Sequence, residues 1–226
     1  MDTLGPQVPL VTTPRALRPL DTQVGALRLR LPEPDRDAAP LFAGFVGADA
    51  MWNWMAYGPF PDLGAFSSWM EGTLTSTDPR WFLVEQDGEA VGMAALMNYE
   101  PGHRRLELGN IWYIPRAQRS TVNTEVTYLA ACEAFEHYRA RRFEWKCDSL
   151  NVPSRIAALR LGFTFEGIFR NHFIVKGRSR DTAWFSITDT EWPAVRSALQ
   201  TWLYHTPRDA NGRPVSSLAA LRGDRP

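Results

Sequence analysis

Gln118, Arg119, Ser120, Thr121, Asn123 and Thr124 crowd into one short stretch that ends an apolar run and begins a helical periodicity. All of them carry hydrogen-bond donors, and Arg116 adds a second cation just upstream. The first turn of a helix has backbone N–H groups without intrahelical acceptors and the positive end of the helix dipole. That combination accepts a phosphate or pyrophosphate. The same residues would serve equally as a solvated loop with two ordinary arginines, and local physics does not choose between the two.

Other residues could do chemistry. Glu107 stands on an apolar strand whose alternation puts Glu107 and Gly109 on one face and Leu106 and Leu108 on the other. It could act as a base in a cleft, or be an exposed strand glutamate paired with Arg105. Asn151 is well placed to cap a helix, with Ser154 in its first turn. Arg155 could hold phosphate or be solvated. Cys147 lies inside a strand and reads as a small buried hydrophobe, not a nucleophile. His172 could face a substrate cleft or play a structural part. Trp54 and Tyr57 sit in an aromatic, Met-rich loop that could roof a site or simply pack.

Stepping outward, Ala26–Leu31 alternates as a strand that Pro32 and Pro34 end. A helix is predicted over Ala38–Val46, a loop over Met51–Pro61 and a helix over Leu63–Thr75. Trp81–Glu85, Ala90–Tyr99 and Arg105–Ile114 form an antiparallel meander, turned at Asp87-Gly88 and Pro101-Gly102. Apolar spacing of three and four makes Thr124–Tyr138 helical. Arg142–Asp148 is a strand. Val152–Leu161 is a helix with Asn151 before it, Pro153 in its first turn and Gly162 after it. Phe163–Val175 and Thr182–Thr188 close as a hairpin, and a helix from Glu191 to Tyr204 follows. The fold class is α/β, a mixed sheet with helices on both faces. Residues 1–25 read as an extended arm, 26–204 as one domain and 205–226 as a flexible tail.

The chain has 226 residues, enough for one large domain. Lys+Arg and Asp+Glu each total 25, so no general basic field exists to hold nucleic acid. The two cysteines form no CxxC or Cys/His zinc spacing, and no metal is implied. No apolar run is long enough to span a bilayer, and no secretory signal is evident. A reduced cytoplasmic location fits these features best.

The run Gln118-Arg119-Ser120-Thr121-Val122-Asn123-Thr124-Glu125, followed by Glu144-Trp145-Lys146-Cys147-Asp148, Asn151-x-x-Ser154-Arg155 and Leu161-Gly162-Phe163-x-x-Glu166-Gly167, resembles the second half of the GNAT acyltransferase fold. Tyr57-Gly58-Pro59-Phe60 and the stretch Arg170–Ile187 are similar to the RimJ/RimL-like branch, relatives of ribosomal-protein N-terminal acetyltransferases. The resemblance covers about residues 25 to 203. It implies a mostly antiparallel twisted sheet with splayed central strands, acetyl-CoA as co-substrate and a primary amine as acceptor, either a protein N-terminus or a small molecule. It also implies a homodimer. Carried over residue by residue, Gln118 through Thr124 match the acyl-CoA loop, Asn151 a contact to the pantetheine arm, and Ser154 a donor to the departing thiolate. Glu107 matches a base, and N–H groups near Ile111 and Tyr113 would polarise the thioester carbonyl. Trp54, Tyr57 and His172 would line the acceptor site. The sequence departs from the family pattern Q/R-x-x-G-x-G/A, because Thr121 and Asn123 stand where small residues are expected. Hydroxyls and Arg119 would then replace part of the backbone cradle. The alternatives are a non-catalytic acyl-CoA-binding module of the same fold, and an assembly role for the two terminal segments.

Overall fold

Gly25 adopts φ +58, a left-handed turn that folds β1 (Thr22–Val24) back on β2 (Leu27–Arg30). The computed structural model describes residues 4–210 and 214–223. After β2 come helices α1 (Pro34–Phe45) and α2 (Leu63–Leu74), then the meander β3 (Arg80–Gln86), β4 (Glu89–Glu100) and β5 (Arg105–Tyr113). Helix α3 (Val122–Cys132) runs into a π-type turn over Glu133–His137 and leads to β6 (Arg142–Asp148). Helix α4 (Val152–Leu161), the hairpin β7 (Thr164–Val175) and β8 (Arg178–Thr188), and helices α5 (Trp192–Tyr204) and α6 (Leu218–Arg222) complete the chain.

The fold is α/β, with one eight-stranded sheet in the order β1-β2-β3-β4-β5-β6-β8-β7. Every neighbouring pair is antiparallel except β5 and β6, which run parallel. That parallel pairing is short: Arg105 opposes Arg142, Leu106 opposes Phe143, and Glu107 opposes Glu144. Beyond Glu107 and Glu144 the two strands part, although both continue.

Register assigns the faces. Leu106 and Phe143 share the side that holds α3 and α5, where the Phe143 ring lies 6.1 Å from Phe135. Glu107, Glu144 and Lys146 share the opposite side with α1 and α2. Between the pairs Met93–Trp112 and Ala95–Gly109, β5 carries one more residue than β4. Asn110 takes φ 54 in this bulge. The extra residue restarts the alternation, so Trp112 joins Glu107 and Gly109 on the α1/α2 face. Tyr113 then turns to α3, where its hydroxyl donates to Asn123 Oδ1 at 3.1 Å.

Trp112 belongs to an aromatic cluster with Phe45, Trp52, Phe66 and Trp69, in ring contacts of 5.0 to 6.5 Å. Trp52, Trp69, Trp81 and Trp112 account for much of the tryptophan richness as packing between α1, α2 and the sheet. Arg30 is also buried, with 3% of its surface exposed. It donates to Asp37 Oδ2 and Oδ1 at 2.8 and 2.7 Å and to Glu85 Oε2 at 2.9 Å. Strand β2 is therefore covered on both faces, not leucine-in and arginine-out as alternation suggests.

Three boundaries move. Helix α1 begins at Pro34, not Ala38, because proline is pre-organised for the first turn. A single 3-10 turn, Asp49–Trp52, opens the stretch expected as loop. Strand β8 begins at Arg178, not Thr182, so the hairpin turn is confined to Lys176-Gly177, both at positive φ. In the first 25 residues, Pro14 O accepts from Tyr99 Oη, and the Arg18 guanidinium binds Glu133 at 2.7 Å. Within 205–226, Leu218 of α6 is 2% exposed and Arg222 donates to Arg160 O. Among the described residues, no helix is long and apolar enough to cross a membrane.

Candidate active site

The parting of β5 and β6 creates a gap in the middle of the sheet, and Glu107 stands where it opens. Its side chain is nearly sealed from solvent, with 1% exposed. Lys146 Nζ and Asn98 Nδ2 donate to Glu107 Oε2 at 2.7 and 2.8 Å. Burial pushes the Glu107 carboxyl above its ordinary range, and the Lys146 charge opposes that shift. A base on this strand would thus be a better proton acceptor near neutral pH than a solvated glutamate. Two residues on, Gly109 lets Met97 and Glu107 pack closely: a Cβ there would lie 2.6 Å from Met97 Sδ and 3.0 Å from Glu107 Oε1.

On the other side of the gap lies the start of α3. Arg119 has φ 59, which turns the chain sharply into the helix. Its side chain is exposed and makes no bond among the described residues. Ser120 Oγ donates to Ala117 O and accepts from Val122 N. Gln118 Nε2 donates to Tyr113 O, tying the loop to the end of β5. Thr121 has φ −74 and ψ −17, ordinary values for any residue. The family's small residue is therefore not needed at 121 for backbone freedom, only for space. Asn123 fills space of its own, with Oδ1 engaged by Tyr113. Thr124 is fully buried and accepts from Arg160 Nη2 at 2.8 Å, so it braces α3 against α4 and does not face an outside phosphate. Val122 is likewise buried, and its backbone N–H is already taken by Ser120 Oγ. Arg116 pairs with Glu89.

Helix α4 starts on the same face as α3. Asn151 caps it, accepting from Ser154 N at 3.2 Å. Ser154 Oγ accepts from Trp145 Nε1 at 3.0 Å, and its own O–H proton is within reach of the Cys147 sulfur. Arg155 donates to Ser149 O and lies over the Phe165 ring. Burial raises the Cys147 thiol, which is no setting for a nucleophilic thiolate.

Ser154 and Glu107 consequently lie on opposite faces of the sheet, while Gln118, Arg119 and Ser120 connect the end of β5 to α3. Ile111 and Tyr113 flank the gap on β5. On the Glu107 side, Trp54 is 37% exposed, whereas Tyr57 stacks on Trp69 at 4.7 Å inside the aromatic cluster. His172 lies 6.1 Å from the Trp184 ring, below its ordinary range through burial and the charges of Lys146 and Arg180. Among the described residues, no group of three or more His, Cys, Asp or Glu side chains could hold a metal.

The description of the acetyltransferase (GNAT) domain matches residues 26–164. This chain belongs to the GNAT acetyltransferase family. A GCN5-related N-acetyltransferase from Brucella melitensis is 35% identical, covers 94% of this chain and 98% of its own, and superposes with a TM-score of 0.89. YdaF of Bacillus subtilis (strain 168), which bears a provisional name as a ribosomal N-acetyltransferase, is 28% identical over 106 residues, 47% of this chain. The match spans little more than half of that relative, 57% of its length. Its name accords with the RimJ/RimL-like branch that the motifs resemble. The microcin C7 self-immunity acetyltransferase MccE, crystallised with acetyl-CoA and AMP, shares the fold at 20% identity and a TM-score of 0.65, over 72% of this chain and 92% of its own.

Within this GNAT fold, two side chains not singled out from sequence turn out to hold Glu107: Lys146 and Asn98. A signal for Lys146 was present. Glu144, Lys146 and Asp148 alternate with Phe143, Trp145 and Cys147, so one face of a central strand is polar throughout. Asn98 gave none, because its contact depends on the irregular register between Met97 and Glu100.

The α3 start makes a direct prediction. Arg119→Ala should raise the Kd for CoA roughly tenfold, the loss of a charge-assisted contact. Thr121→Gly should leave binding in place, since Thr121 needs no special backbone. Isothermal titration measures both, and an unchanged Kd in Arg119→Ala removes that side chain from the phosphate contact.

Proposed function

We propose that this protein is an acetyl-CoA-dependent N-acetyltransferase that moves the acetyl group to a primary amine by direct attack in a ternary complex. The observation that carries this reading is the parting of β5 and β6 after three residue pairs, with a donor-rich helix start following β5 and a buried carboxylate on β5 itself. The loop at 118–123 and the N–H groups of the α3 start would hold the pyrophosphate. Asn151 would guide the pantetheine arm through the gap, and Arg155 would help hold phosphate. An ammonium has no lone pair, so Glu107, directly or through water, would take the proton that frees the amine. N–H groups near Ile111 and Tyr113 would polarise the carbonyl. As the thiolate leaves, the Ser154 hydroxyl, its oxygen already engaged by Trp145, would deliver a proton. No covalent acyl-enzyme is required.

The test is CoA release from acetyl-CoA with a panel of peptide N-termini and small amines, read with a thiol reagent. Amine-dependent release is expected. Acetyl-CoA binding with no turnover on any amine would favour the second reading, a non-catalytic acyl-CoA sensor. That reading draws on Thr121 and Asn123, whose side chains occupy the loop where the family keeps space. The cytoplasmic location and the homodimer expected from the sequence belong to the same proposal.

A further inference from the structure

A cleft of about 780 Å³ opens on the Glu107 face, between Trp54 and Pro59 before α2, Asp148 at the end of β6, and Lys176, Arg178 and Arg180 of the β7–β8 hairpin. Three cations, Lys176, Arg178 and Arg180, line it against one carboxylate, Asp148. Lys176 Nζ donates to Trp52 O, which pins the hairpin to the opposite wall. Asp148 already accepts from Leu150 N, and nearby Asp181 accepts from Asn171 N. Among the described residues, Arg178 has no side-chain partner, and Arg180 has only the Phe173 ring, 5.7 Å away, with Nε unsatisfied.

Register links this cleft to the reaction centre. Lys146 opposes Trp184 and Asp148 opposes Thr182, all on the face of Glu107, and Arg180 follows Thr182 on that face. Between the two ends, Trp184 Nε1, Thr182 Oγ1 and His172 Nδ1 are buried without hydrogen-bond partners, and Thr182 is fully buried. Buried polar atoms of this kind are destabilising unless something satisfies them. These three lie between the Glu107–Lys146 pair and the guanidinium groups of Arg178 and Arg180, beneath the surface of the cleft, so an incoming ligand meets the cations of the cleft first.

We infer that the acceptor amine carries an anionic group, a carboxylate or a phosphate, that docks on Arg178 and Arg180 while the amine reaches Glu107. The inference rests on the acetyltransferase reading above and names its substrate class. The strand rise from Trp184 to Arg180 separates the two ends by roughly 13 Å. At about 3.3–3.6 Å per extended residue, a peptide would place its acidic side chain about three or four residues from its N-terminus. A polyamine meets the wrong charge at the far end.

The experiment compares the tetrapeptide amides Ser-Ala-Ala-Asp, Ser-Ala-Ala-phosphoserine, Ser-Ala-Ala-Asn and Ser-Ala-Ala-Lys. Acetylation by acetyl-CoA and equilibrium binding to the CoA-loaded protein are both measured. The Asp or phosphoserine peptide should show a KM or Kd roughly tenfold below the Asn peptide, with the Lys peptide weakest. Which of the two anionic peptides leads tells carboxylate from phosphate. The preference should vanish in Arg178→Ala/Arg180→Ala, with the affinity for CoA retained as the control for folding. Equal handling of all four peptides, or a preference for Lys, overturns the inference while leaving the acetyltransferase reading intact. Absence of turnover on every acceptor overturns that reading instead, and the binding series still decides the charge preference.

Discussion

Glu107→Gln is expected to lower kcat for amine acetylation by about two to four orders of magnitude, the usual range for removing a positioned acid–base group. The amide keeps the shape but cannot take a proton. It also leaves Lys146, which donates to Glu107 at 2.7 Å, without its counter-charge. A double variant, Glu107→Gln with Lys146→Met, removes that unpaired charge and separates the two effects. Thermal stability should recover toward the parent, and turnover should not. The pH profile carries the same information. Burial raises the Glu107 carboxyl, and a base works only when ionised. The acid limb of kcat/KM should therefore fall as pH drops through a value above the ordinary glutamate range. The stability sign is opposite to that of a salt-bridged surface carboxylate: a raised folded-state pKa favours the native state at low pH and withdraws that contribution as pH rises. Full turnover in Glu107→Gln would take this carboxylate out of the chemistry.

Some of this site was legible in the sequence and some was not, for physical reasons. Helix α4 could be bounded almost to the residue, because Asn151, Pro153 and Gly162 are each tied to one backbone position by local sterics or hydrogen bonding. The meander β3–β5 was legible for a similar reason, since Asp87-Gly88 and Pro101-Gly102 punctuate it. What depended on non-local pairing was not. The bulge at Asn110 turns Trp112 toward α1 and Tyr113 toward α3, and simple alternation along β5 cannot reveal it. Thr124 looked like one more donor for phosphate, but its partner is Arg160 on another helix. The Arg178–Asp181 stretch had the composition of a loop. It is strand because the β7–β8 hairpin tolerates polar side chains at its outer end.

Arg30→Met should destabilise the fold by about 3–5 kcal/mol, the expected range when one partner of a buried ion pair is removed. For a chain of this size that is a Tm decrease of roughly 6–20 °C. Arg30 is 4% exposed at its side chain, and Asp37 and Glu85 are 2% and 10% exposed, so solvent screens little. The substitution leaves Asp37 without either of the hydrogen bonds from the guanidinium. Glu85 retains the bond from Arg36 and Asp37 that from the Glu33 N–H, but Asp37 loses two bonds to the one lost by Glu85. Arg30→Lys should recover only part of it, because an ammonium cannot reproduce the forked contact. Calorimetry on the three proteins measures this directly, and a Tm within a degree or so of the parent would mean the network is stability-neutral. The consequence of Arg30 lies in folding, yet by sequence it looks like half of a polar face on an amphipathic strand.

The three residue pairs that join β5 to β6 divide the sheet into two leaves, β1–β5 and β6–β8, bound along a narrow spine. Cooperative units that share so little pairing can open independently of global unfolding. A molecule lying between the leaves touches both, and would close that opening by mass action, with about 2.7 kcal/mol available at a hundredfold excess over Kd. Amide exchange at Leu106 and Phe143 would then report cofactor occupancy as readily as turnover does. Cofactor supply would set not only the rate of this protein but how long it survives proteolysis.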